Sequence, residues 1–255
     1  MNKTDDHLVW SPIIRSSILF FLSIFIMIPL SKASVVITGT RIIYPSDAKE
    51  VTVQLTNQDN FPNIVQAWVD INNPDSMPET ADAPFIINPT VSRISPGSGQ
   101  SLRVIFTGSD LPQDRESLFY LNVLQIPPRN IAKGDQNQML LMLRNRLKLF
   151  YRPTTISGSP DVLPEKLRFG LIRSGNGWHV TVENPTGYHA SFGGATLNIG
   201  KHKWQLKADM VPPLSTVEWR SSGFAKPLPT GKPQLRAQLI NDYGARVDIR
   251  HDFSH

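Results

Sequence analysis

Five charged residues, Arg41, Glu116, Lys148, Arg152 and Asp242, stand near the ends of alternating apolar runs. One of those runs is Asn137-Gln-Met-Leu-Leu-Met-Leu-Arg-Asn-Arg-Leu-Lys-Leu-Phe-Tyr151. Its odd positions carry Met139, Leu141, Leu143, Leu147 and Leu149, and its even positions carry Leu140, Met142, Arg144, Arg146 and Lys148. Such residues suit binding better than bond-breaking. An edge strand of this kind invites another strand to pair with it, which is either an aggregation hazard or a binding device. The plainer reading is a core strand with a solvated basic face and surface charges worth about 1 kcal/mol or less each. Against it, the run is long for a strand, and its first half is apolar on both faces.

Catalytic and metal chemistry find little to work with. The histidines are His7, His179, His189, His202, His251 and His255, and none falls in an H-x-x-x-H or H-E-x-x-H pattern. There is no G-x-S-x-G, no P-loop and no G-x-G-x-x-G. Ser95-Pro-Gly-Ser-Gly99 joins two strand-like runs and reads as a tight turn. Cysteine is absent, which removes thiol chemistry, disulfides and Cys-based metal sites together. The expectation is a protein that is not an enzyme and carries no cofactor or metal.

These residues must be positioned by strands. Short alternating runs recur along the chain: Val51–Leu55, Leu102–Phe106, Phe119–Ile126, Met139–Tyr151, Leu167–Leu171, Trp178–Val182, Trp204–Leu206, Leu235–Leu239 and Val247–Ile249. Pro, Gly, Asn and Asp separate them, and no long segment repeats at helical spacing; many short strands with such punctuation predict antiparallel sandwiches. At the N-terminus, Lys3 and Arg15 precede an apolar stretch from Ile18 to Leu30, followed by Ser31 and Ala33. That order reads as a secretory signal over 1–33, with the mature chain starting near Ser34. The competing reading is an uncleaved anchor, but the stretch is short for a membrane span of about 20 residues.

The remaining 222 residues exceed one sandwich of about 100 and suit two. The Pro- and Ser-rich stretch Arg152–Pro160 divides them into 34–153 and 154–255. The whole chain carries a formal charge of +5; without Lys3, Arg15, Lys32, Asp5 and Asp6 it is (26 − 3) − (21 − 2) = +4. That balance is too small and too evenly spread to predict a nucleic-acid partner.

Four motifs resemble one family, the periplasmic chaperones of the chaperone–usher pathway, of the PapD type. They are Thr40-Arg-Ile-Ile-Tyr-Pro45, Leu111–Tyr120 running into Ile126-Pro-Pro-Arg129, Leu147-Lys-Leu-Phe-Tyr-Arg-Pro153, and Ile240-Asn-Asp-Tyr-Gly244. The resemblance spans about 34 to 250. It implies an all-β chain of two immunoglobulin-like antiparallel β-sandwich domains, joined by a short linker in a boomerang arrangement.

By position it implies that Arg41 and Lys148 bind the C-terminal carboxylate of a pilus or fimbrial subunit. The edge strand 139–143 is donated through Met139, Leu141 and Leu143, and Glu116, Arg152 and Asp242 bridge the domains. Pro89 falls where the family carries a cis proline, and the short stretch Asn130–Gln138 is similar to the short-loop subgroup. The implied partners are pilin subunits and an outer-membrane usher, in the periplasm, with no stable membrane insertion after signal cleavage. The exposed strand also allows weak self-association of the free protein. Two rivals stay open: a sandwich subunit that itself polymerises, which should lack its last strand or bear a donor extension, and a periplasmic hydrolase.

Overall fold

The computed structural model of the protein describes residues 34–108, 110–128, 139–174, 177–221 and 230–253. The expected signal over 1–33 and the short loop 130–138 lie outside the described residues. The strands are β1 (Val35–Ile37), β2 (Arg41–Pro45), β3 (Val51–Asn57), β4 (Asn63–Asp70), β5 (Phe85–Asn88), β6 (Val91–Ile94), β7 (Gly99–Phe106), β8 (Ser117–Ile126) and β9 (Leu143–Arg152). After one helical turn, α1 (Leu163–Lys166), come β10 (Arg168–Ser174), β11 (Gly177–Asn184), β12 (Ser191–Ile199), β13 (His202–Leu206), β14 (Ser215–Trp219), β15 (Pro233–Ile240) and β16 (Arg246–Asp252).

The first sandwich faces a sheet β1-β3-β7-β5 against a sheet β2-β9-β8-β4-β6; the second faces β10-β11-β14 against β13-β12-β15-β16. Among the described strands, β2 and β9 pair in parallel and the other pairings are antiparallel. Among the described residues, no helix is long and apolar enough to cross a membrane.

Alternation builds each core. From β9, Leu147, Leu149 and Tyr151 turn inward beside Phe119, Leu121 and Val123 of β8, opposite Val53, Leu55, Leu102 and Val104. Each such side chain contributes about 1.5–3 kcal/mol on burial. Tyr44 stacks on Tyr151 at 6.0 Å, and its hydroxyl accepts from the Phe106 amide. The second core centres on Trp219, Val180, Val182, Leu197 and Leu235, all fully buried. The Trp219 indole N–H donates to the Asp209 carbonyl at 3.1 Å. The Asn88–Pro89 peptide is cis.

The long run splits in two. The β8–β9 ladder begins at Leu143, opposite Gln125, and residues 139–142 have no regular structure instead of continuing the expected strand. The cause is local to the partner: β8 ends at Ile126 and gives way to Pro127 and Pro128, which have no N–H to donate. The chain before Leu143 therefore has no ladder to join.

Each sandwich is also pinned by a buried asparagine at a strand end. In the first, Asn57 donates to the carbonyls of Phe61 and Ile94 and accepts from Asn63. In the second, Asn184 donates to the carbonyls of Tyr188 and Pro212 and accepts from the Thr186 amide and hydroxyl. Both are fully buried. Replacing Asn184 with Ala strands several of these partners out of reach of water, so Asn184→Ala is expected to cost about 3 kcal/mol. Urea unfolding followed by tryptophan fluorescence checks this; a shift under about 1 kcal/mol would mean that water replaces the amide.

Candidate functional site

The parallel pairing of β2 with β9 places Arg41 directly beside Lys148, although 107 positions separate them in the chain. Both side chains leave the sheet on the face turned away from the first core and reach the second sandwich. Arg41 Nη1 donates to the Ile240 carbonyl at 2.9 Å, and Lys148 Nζ donates to Met210 Sδ at 3.4 Å. Between them Phe150 is buried, with the Arg41 guanidinium 6.0 Å from its ring centre. Among the described residues neither cation has an ion-pair partner, and Arg41 Nε is buried with no acceptor.

Burial lowers the Arg41 pKa, with Asp242 and Glu116 opposing that shift. Burial also lowers Lys148 below the ordinary lysine range, and the neighbouring Arg41 charge lowers it further. Two like charges set side by side, with an unused donor on Arg41 Nε, are able to hold an anion, although Glu116 and Asp242 lie close to Arg41.

Next along β9, Arg152 closes a charge network. Its Nε donates to Glu116 Oε1 at 2.7 Å, while Nη1 and Nη2 fork onto Asp242 at 2.6 and 2.9 Å. Burial alone would pull Arg152 down; its bonds to Asp242 and the charges of Glu116 and Asp242 outweigh that and raise its pKa. Glu116 reaches the second sandwich as well, accepting from the His189 amide at 2.7 Å, with His189 Nδ1 3.1 Å away. Glu116 and Arg152 belong to the first sandwich and Asp242 to the β15–β16 turn, so the expected trio is brought together across the two units.

Two glycines allow the close approach. A Cβ on Gly244 would lie 2.4 Å from Thr40 Oγ1, and one on Gly187 would lie 2.7 Å from the Asp114 carbonyl. Gly244 also has φ +81°, which disfavours other residues there.

The apolar segment before β9 is bare. Met139 is 95% exposed, Leu141 67% and Leu143 46%, with Leu140 and Met142 exposed between them. The structure thus places the three expected donor residues in and just before the first residue of β9, with Lys148 five residues further along that strand and Arg41 beside it on β2.

Sequence reading missed the groups that complete the site. His189, Met210 and the Ile240 carbonyl come from three separate stretches of the second sandwich, and no spacing links them to Arg41 or Lys148. Phe150 was visible only as one more apolar residue of the run. Among the described residues, no group of three or more His, Asp or Glu side chains gathers as a metal site would require.

Two family models match the chain. The family model for the N-terminal domain of the PapD pili and flagellar-assembly chaperones matches residues 34–157, and that for the PapD C-terminal domain matches residues 163–251. The chaperone protein HifB of Haemophilus influenzae is 40% identical over 219 residues, covering 84% of this chain and 86% of HifB. The crystal structure of the YadV chaperone superimposes with a TM-score of 0.74 at 33% identity, covering 87% of this chain and all of that one. The complex of the Salmonella enterica SafA pilin with the SafB chaperone contains a chain that matches with a TM-score of 0.69 at 25% identity, covering 88% and 98%.

Losing Asp242 would leave Arg152 with Glu116 alone in a half-buried setting. Asp242→Ala is expected to lower stability by about 2–3 kcal/mol, less than for a fully buried pair because Asp242 retains 29% side-chain exposure. Thermal unfolding checks it. An unchanged midpoint would mean that the fork onto Asp242 adds nothing to the joint between the sandwiches.

Proposed function

This chain belongs to the PapD family of pili assembly chaperones, and we propose that it captures a pilus subunit by lending it the segment 139–143 and gripping its C-terminal carboxylate with Arg41 and Lys148. The observation that carries this reading is the pair of adjacent, half-buried cations, Arg41 on β2 and Lys148 on β9, with no ion-pair partner among the described residues, together with five consecutive exposed apolar residues, 139–143, that lead into β9. Neither half is self-sufficient. Exposed Met139, Leu141 and Leu143 need an apolar cover, and the cations need a negative charge.

Geometry sets the direction of the captured strand. From Leu143 to Lys148 is five residues, or about 17 Å at 3.3 Å per residue. A subunit strand whose last carboxylate rests at Lys148 and which runs back over 139–143 must lie parallel to β9. A subunit lacking its final strand exposes an apolar groove and unpaired backbone groups, both unfavourable in water. The lent segment supplies ladder partners and alternate side chains worth about 1.5–3 kcal/mol each when buried. The carboxylate grip adds about 1.5–3 kcal/mol and fixes the register, since a slip of one residue would present Leu140 and Met142 instead.

On this reading the protein works in the periplasm after removal of 1–33, with domains divided near residue 153. It hands its subunit to an outer-membrane usher, catalyses no bond-breaking, and associates weakly with itself when the segment 139–143 is empty. A polymerising subunit, the rival reading, should lack its last strand; the first sandwich instead completes its sheet with β9.

The test is co-purification from periplasm with the subunit of its own pilus, identified by mass spectrometry. Arg41→Ala and Lys148→Ala are each expected to reduce affinity for that subunit at least about tenfold while the chaperone stays folded, and amidating the subunit's C-terminus should do the same. Arg41→Lys should fall between, because a point charge cannot replace a planar fork. Leu141→Glu should abolish capture without unfolding the free protein, since Leu141 is exposed.

The pH dependence has a fixed sign. Only protonated Lys148 attracts the carboxylate, and its pKa in the free protein lies below the ordinary value. Affinity should therefore be full below that depressed pKa and fall as pH rises through it. A proton is taken up on binding between the free and bound values. Lys148→Arg should flatten this slope. Near-equal affinities across all these proteins would remove the carboxylate grip.

A further inference from the structure

We propose that Arg144 and Arg146 form a clamp that fixes the start of β9, and so the register in which the segment 139–143 is offered to a subunit; this rests on the strand-lending reading above. The need for a clamp appears in the burial pattern of β9. From Leu147 onward its inward side chains are buried, Leu149 and Tyr151 within the first core. Ahead of Leu147 the inward-facing residues are Leu143 and Asn145, and both are exposed. No core contact holds the first rungs of the ladder, the ones adjoining the lent segment. What holds them lies on the other face.

There Arg146 Nη2 donates to Asp70 Oδ1 at 2.6 Å and Nε to Oδ2 at 3.3 Å, with its guanidinium 3.7 Å from the centre of the Tyr120 ring. Arg144 Nη2 and Nε both donate to Asn122 Oδ1, at 2.7 and 3.0 Å, and Nη1 donates to the Pro74 carbonyl at 2.9 Å. Its guanidinium lies 4.9 Å from the Trp68 ring. Asn122 ties the two arginines together, because its Nδ2 donates to Asp70 Oδ2 at 2.6 Å.

Asp70, Asn122 and Trp68 are buried, and their own partners are fixed. The Asn73 amide donates to Asp70 and the Trp68 indole N–H donates to buried Ser76. Burial would raise the Asp70 carboxyl, but the bonds from Arg146 and Asn122 hold it below its ordinary value, so it stays an anion. The two arginines thus reach from β9 across β8 to β4 and its following loop.

A basic face on a strand is usually solvated and indifferent to register. This one is not, because two forked donors, on Asn122 and on a buried carboxylate, must be placed together; moving the strand by two residues keeps each side chain on its face but puts Met142 in the place of Arg144, or Lys148 in the place of Arg146, and one fork is lost either way. The clamp begins one residue after Leu143, so the segment 139–142 departs from a fixed point in a fixed phase. Less ordering remains to be done when a subunit arrives.

Hydrogen exchange on the free protein, paired with affinity for the subunit recovered by co-purification, tests this. Arg144→Met keeps an unbranched apolar stem but removes the guanidinium over Trp68 and all three hydrogen bonds. Amides of 143–146 and of their partners 122–125 should exchange about tenfold faster or more, while 147–152 and the second sandwich stay unchanged. Subunit affinity should fall about tenfold. Arg144→Lys keeps the charge but cannot fork, and should shift both readings in the same direction; it also serves if Arg144→Met does not fold.

Unchanged exchange overturns the clamp, as does faster exchange with unaltered affinity while Leu141→Glu still abolishes capture. Lost affinity with unchanged exchange would make Arg144 a direct subunit contact instead. Capture that survives Leu141→Glu would remove strand lending itself, and the clamp's role with it, whereas the exchange result reads the free protein alone.

Discussion

Leu147, Leu149 and Tyr151 enter the first core, while Lys148 and Arg152, from the same strand, reach the second sandwich. The strict two-residue alternation of a pleated strand makes this possible, and it makes the two duties inseparable. Any slip that spoiled the core would also withdraw the cations from the cleft. A one-residue slip would bury Lys148 and expose Leu149, so the core enforces the position of the charges. The site is built at no separate expense in structure: the packing that stabilises the first sandwich is also what aims its functional groups.

The joint between the sandwiches extends the same logic. Glu116 opens β8's approach and Arg152 ends β9, so both are placed by the ladder between those strands. Asp242 and His189 come to them on turns of the second sandwich, and Gly244 and Gly187 let those turns come close. Because Arg41 also donates to the Ile240 carbonyl, two residues before Asp242, Arg41 and the charge network are tied to one stretch of the second sandwich. A change in the angle between the sandwiches would move an acceptor of Arg41 together with the partner of Arg152.

Function on this account depends on leaving one piece of a well-paired sheet unpaired. Pro127 and Pro128 end β8 early and so deprive 139–142 of a neighbour within the chain. An exposed apolar edge is a hazard in a soluble protein. Here it is short, flanked at once by Arg144 and Arg146, and those arginines are held down on buried Asn122 and buried Asp70 instead of being free to fold over it.

The sequence by itself determined a great deal. Alternation and turn residues specify an all-β chain, because a strand's two faces are written into neighbouring positions. The run from Met139 to Tyr151 already shows both apolar faces of its first half and the cationic face of its second. The strands β1, β4, β5, β6, β12 and β14 are not among the runs that alternation marks. In β12 the pair Gly193-Gly194 breaks the alternation, and a register shift occurs there in the folded protein. Only the tertiary structure decided that Arg41 lies beside Lys148, that His189 completes the Glu116 network, and that β9 begins at Leu143. It alone made Arg144 and Arg146 a clamp. In each case the deciding partner is distant in the chain: a ladder neighbour, a turn of the other sandwich, or the place where another strand stops. Which face a residue occupies is a local property. What it meets there is set by the folding of the whole chain.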